Sequence, residues 1–79
     1  MKKIYTLTAI DTTTLERNWG SLKARYTAPY LCLETVVNGV RVASGCAIPC
    51  DVLVECDLVV GNTYLVEHSR GRLVDIKSI

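Results

Sequence analysis

Apolar and polar side chains alternate with a period of two along much of this 79-residue chain, and no long stretch repeats with the 3.6-residue period of an amphipathic helix. Residues 2–10 set Tyr5, Leu7 and Ala9 against Ile4, Thr6, Thr8 and Ile10, which predicts an edge strand. Residues 30–37 and 40–48 flank Asn38-Gly39, the dipeptide favoured where both central residues of a two-residue turn need positive φ. The segment VVNGVRV therefore predicts a tight hairpin with Val37 facing Val40. Pro49 has no N–H to give a ladder, so the second strand of that hairpin is expected to stop before it.

Residues 51–60 place Val52, Val54, Cys56 and Leu58 on one side and Leu53, Glu55 and Asp57 on the other, which predicts a strand. A short helix over 50–56 is the alternative, since Pro49 and Asp51 also suit a helix start. Gly61-Asn62 turns the chain into TYLVEH, and Ser69-Arg70-Gly71 turns it into RLVDIKSI, two segments expected to pair as a closing hairpin. One short helix near 12–19 is expected, with Asp11 as N-cap and Gly20 just past its end. An irregular loop is the alternative there, because three consecutive threonines oppose a helix. Five or six short strands in meander order, in one domain spanning 1–79, predict an all-β fold. A small, strongly bent barrel, OB-like or SH3-like, would spare such a sheet its exposed edges.

Composition adds a partner. Hydrophobic residues make up 49% of the chain, more than the small interior of such a domain can hide, so a homodimer is expected. No window approaches the ~18 apolar residues of a membrane span. The start has a basic tip, yet Thr6, Thr8 and Asp11 break its apolar stretch, and the expectation is a cytoplasmic protein rather than a secreted one. A formal charge of +1 argues against coating duplex DNA by bulk electrostatics. The distribution is uneven: residues 1–30 carry +3, residues 31–60 carry −3 and residues 61–79 carry +1.

The densest chemistry lies in RNWGSLKARYTAPY, residues 17–30, which interleaves Arg17, Lys23 and Arg25 with Trp19, Tyr26 and Tyr30. Cations that meet phosphates, alternating with flat rings that stack on bases, are what holding a single-stranded nucleic acid requires. A second basic cluster, His68-Ser69-Arg70-Gly71-Arg72, is expected at the tip of the closing hairpin as a cationic clamp. The competing reading places Trp19 and Tyr26 in the core, with the Lys and Arg residues serving solubility.

Other chemistry is sparse. Cys32, Cys46, Cys50 and Cys56 lack the C-x2-C spacing of a zinc knuckle, and the expectation is free thiols rather than a metal site or a disulfide. His68 has no nucleophile–base–acid set around it, and Glu55 with Asp57 reads as a solvated polar face. There is no glycine-rich phosphate loop and no nucleophile elbow. A protein that is not an enzyme, with no cofactor and no metal, is expected.

The basic ERNWGSLKARY leads into the tyrosine- and cysteine-bearing YLCLE; Asn38-Gly39 follows, then VVGNTYLVE and the closing GRLVDIKSI. This layout resembles the small single-stranded DNA-binding proteins of filamentous phages and, more loosely, primosomal OB-fold proteins. The resemblance implies an OB-type barrel, a symmetric dimer and non-specific binding of single-stranded DNA. By matched position it implies Arg17, Lys23, Arg25, Tyr26 and Arg70 as binding residues. The acidic 51–57 stretch departs from that pattern. It suits a second reading, a small phage- or plasmid-type inhibitor or adaptor that binds a host protein.

Overall fold

A computed structural model describes residues 2–79. Five antiparallel strands form one sheet: β1 (Lys2–Trp19), β2 (Leu22–Val37), β3 (Val40–Ala47), β4 (Thr63–Ser69) and β5 (Arg72–Ser78). Their order across the sheet is β3-β2-β1-β4-β5. The all-β expectation holds at this level, and the sheet's connectivity differs from a meander. After β3 the chain crosses the molecule and lays β4 along the free side of β1, pairing Lys2–Thr6 with Glu67–Thr63. The first strand is thus central rather than an edge. The ladder does not close into a barrel. β3 and β5 draw together at residues 45–47 and 71–73, which line a common cleft, without hydrogen-bonded pairing between them.

The turns follow local chemistry. Asn38 and Gly39 have φ of 52° and 79°, and Val37 faces Val40 as the dipeptide predicts. β3 ends at Ala47, two residues short of Pro49. Gly20 has φ of 61° and, with Ser21, makes a two-residue turn joining Trp19 to Leu22. That turn overturns the expected helix over 12–19. Among the described residues there is no helix, hence none long and apolar enough to cross a membrane. Thr12–Trp19 is β strand, where the branched threonines are at ease, and its partner is Leu22–Pro29.

Because β4 reaches only to Thr6 and β3 only from Tyr30, the far halves of β1 and β2 pair with each other alone. They project as a two-stranded ribbon. The molecule measures 47 × 24 × 18 Å with a radius of gyration of 13.5 Å, against roughly 11–12 Å for a compact chain of this length.

The core lies at the other end. Leu7, Leu31, Leu33, Tyr64, Val66, Leu73 and Ile76 are all but sealed from solvent. Residues 48–62 cover them, and here the expected strand over 51–60 does not form, nor does the alternative helix. Val52, Val54, Cys56 and Leu58 do pack against the core at the predicted period, while the backbone joins no ladder. A buried tyrosine fastens this segment: the Tyr64 hydroxyl accepts from the Val59 N–H and donates to the Asp57 carbonyl, both at 2.8 Å. Each bond satisfies a backbone group that no strand partner reaches.

Candidate nucleic-acid interface

Residues directly opposite one another in an antiparallel ladder share a face, and faces alternate along each strand. In the ribbon, Leu15 faces Tyr26, Arg17 faces Ala24 and Trp19 faces Leu22. The intervening pairs, Glu16 with Arg25 and Asn18 with Lys23, lie on the opposite face. The basic–aromatic segment is therefore divided. Arg17, Trp19 and Tyr26 stand together, and Lys23 and Arg25 stand behind them on a polar face where Arg25 Nε lies 3.4 Å from Glu16.

On the Trp19 face the indole is accessible. The indole is 58% exposed and Leu22 beside it 71%, so the ribbon tip is apolar and unsheltered. The reading that puts Trp19 in the core does not describe this structure. The Arg17 guanidinium lies over the indole at 4.3 Å from the ring centroid, a cation–π contact that holds a positive charge against a stacking surface. Arg17 Nη1 also donates to Cys50 Sγ at 2.9 Å.

Nearer the body, half-buried Tyr26 and Tyr30 line a cleft of about 440 Å³ together with Leu15, Gly45 and Arg72. The phenol end of Tyr30 lies against Gly45, where a side chain would collide with its hydroxyl and ring. The Cys50 N–H donates to the Tyr26 hydroxyl at 3.3 Å, and Ile48 N–H donates to the Pro29 carbonyl at 2.9 Å. The 48–50 segment thus braces the base of the ribbon, which as an isolated hairpin would be marginal in water.

The second basic cluster is rearranged. His68 sits within β4, edge-on to Tyr5 with ring centroids 5.9 Å apart, instead of at a hairpin tip. The tip is Arg70-Gly71, with φ of 54° and 76°. Arg72 opens β5 and turns toward the 48–62 segment, where its Nη2 donates to both carboxylate oxygens of Asp51 at 2.6 and 2.7 Å. That hydrogen bond, with the charges of Arg72 and Arg17 adding to it, holds the Asp51 carboxyl below the usual carboxylate range.

Of the eight sequence-derived positions, five are gathered on one side: Arg17, Trp19, Tyr26, Tyr30 and Arg72. Lys23 and Arg25 lie across the ribbon, and Arg70 occupies the turn beside the cleft. Sequence reasoning did not pick out Asp51 and Cys50 as the partners of Arg72 and Arg17, because both lie more than twenty residues away in the chain. All four cysteines are free thiols, Cys46 buried and Cys50 exposed, and burial pushes the Cys46 thiol up. Among the described residues no three His, Cys, Asp or Glu side chains gather as a metal site would require.

Comparison with protein-family models, with curated proteins and with solved structures finds no match to this chain.

Proposed function

We propose that this protein binds single-stranded nucleic acid without catalysis, on the face formed by Arg17, Trp19, Tyr26, Tyr30 and Arg72. The observation that carries the reading is the Arg17–Trp19 pair, a guanidinium 4.3 Å over an indole on an exposed ribbon. An exposed tryptophan is of little use to the fold and of direct use to a base, each stacked base contributing about 1–3 kcal/mol. The strand contacts the ribbon through its bases and reaches Arg72 and Arg70 through its phosphates.

The fold resembles an OB-type barrel in this proposal, with β3 and β5 as the seam. Joining them would complete a five-stranded Greek-key barrel, and their approach at residues 45–47 and 71–73 supports it. A cytoplasmic homodimer belongs to the same reading. Val37, Val40 and Val42, all exposed and on one face of the sheet, give a second copy an apolar surface to cover. Loss of oligonucleotide affinity in Trp19→Ala with an unchanged unfolding curve is the expected outcome. Undiminished affinity in that variant contradicts the assignment.

A second reading rests on the outer edge of β3. Among the described residues that edge has no strand partner, and β3 carries Val40 and Val42 at 63% and 42% exposure, a place where an extended segment of a host protein adds as a strand. Capture of a partner that survives nuclease treatment and is lost on replacing Ala43, whose N–H faces away from β2, with proline favours this adaptor role.

A further inference from the structure

Arg72 and Arg17 belong to different ends of the chain, yet both reach the same short turn. Arg17 meets Cys50 at 2.9 Å, and Arg72 holds the neighbouring Asp51 at 2.6 and 2.7 Å. The pair is open to water: the Arg72 and Asp51 side chains are 57% and 56% exposed. Only Nη2 of the Arg72 fork takes part in the two bonds. Arg72 also lines the cleft that Tyr26 and Tyr30 line.

A carboxylate held this way presents one negative charge spread over two acceptor oxygens, as the non-bridging oxygens of a phosphodiester do. The segment bearing it has no ladder to fix it in place, being tied locally by the Val52 N–H to the Pro49 carbonyl at 3.1 Å and by the two contacts to Cys50. An exposed ion pair of this kind contributes little stability, so an incoming anion displaces it at small cost.

We infer that the Asp51 carboxylate occupies a phosphate subsite between Arg72 and Arg17, and that a nucleic-acid phosphate enters by displacing it. The aspartate is then an internal competitor that sets the affinity of the interface. It keeps Arg72 ordered beside the cleft and ready for an anion, and it makes weakly charged ligands poor rivals for a strand that brings several phosphates at once. This inference rests on the nucleic-acid reading above.

The test titrates a short dT oligomer into wild type, Asp51→Asn and Asp51→Ser at low salt, with Glu55→Gln as a control for the same change in net charge away from the cleft. Both Asp51 variants are expected to bind roughly two- to five-fold more tightly than wild type, the range that release of an exposed ion pair allows. Glu55→Gln is expected to gain less than about two-fold, as screened surface charges do. In an Arg72→Gln background, the gain from Asp51→Asn is expected to vanish. Wild-type binding with no gain in either Asp51 variant, or a gain no larger than that of Glu55→Gln, overturns the subsite and leaves the nucleic-acid reading standing. Failure of every variant, wild type included, to bind the oligomer overturns both.

Discussion

Tyr30 lies across Gly45 so closely that a Cβ on residue 45 would come within 2.6 Å of the tyrosine Cζ. The glycine is therefore a requirement of the cleft rather than of the strand, since its φ is not in the left-handed region. Gly45→Ala is expected to force the ring out, destabilising the protein by about 1–3 kcal/mol as an overpacked site does. In a Tyr30→Ala background the same substitution is expected to cost little, because the obstructing ring is gone. Urea unfolding of the four proteins in this cycle measures the coupling directly.

The two faces of the ribbon predict unequal mutants. Arg17→Glu is expected to weaken oligonucleotide binding by roughly ten-fold or more, losing a phosphate contact and the cation over Trp19. Lys23→Glu with Arg25→Glu acts from the opposite face through screened long-range charge, and a loss of only about three-fold is expected. Fluorescence titration ranks them. The reverse ranking moves the interface to the Lys23 face.

Arg70 holds φ of 54°, a left-handed conformation that asparagine tolerates far better at the first position of such a turn. Arg70→Asn is expected to raise stability by roughly 0.5–1 kcal/mol, part of the 1–2 kcal/mol that a left-handed non-glycine residue costs. It is also expected to lower oligonucleotide affinity, since a cation beside the cleft is lost. A variant both more stable and weaker in binding identifies strain kept for function. Equal affinity removes Arg70 from the interface.

Much of the fold could be read from alternation and turn chemistry, and the failures share one cause. The Asn38-Gly39 hairpin is a local feature in which two residues dictate the turn, and its register was predictable to the pair Val37–Val40. Gly20 offers the same left-handed freedom to a helix end and to a hairpin turn. Only the long-range pairing of Thr12–Trp19 with Leu22–Pro29 decides between them. Period-two burial at Val52, Val54, Cys56 and Leu58 was also legible. Alternation reports which side chains face a core, and it is silent on whether the backbone finds a ladder partner. In the site, residue types were visible and faces were not. Trp19 and Lys23 are separated by the parity of their positions across a turn whose length the sequence left ambiguous.

The Asp51–Arg72 pair carries a pH signature. Asp51 titrates below its ordinary value of 3.8 because the folded state supplies the Arg72 hydrogen bond. A depressed carboxylate stabilises the fold at pH above the unfolded value and ceases to do so as pH falls through the folded one. The thermal midpoint of wild type is expected to exceed that of Asp51→Asn slightly at pH above the ordinary carboxylate range, the two converging as pH falls through the lowered folded-state value. The difference is small because both side chains are exposed. A constant offset across that range would mean that the pair does not form in solution.

The most direct measurement is a titration of Trp19 fluorescence with a short dT oligomer at two salt concentrations. The account predicts quenching on binding, as the indole stacks on a base, and an affinity that falls with salt at a log–log slope between about −1.4 and −2.1, as for two or three phosphates neutralised. Unchanged tryptophan emission together with no salt-dependent binding would contradict it.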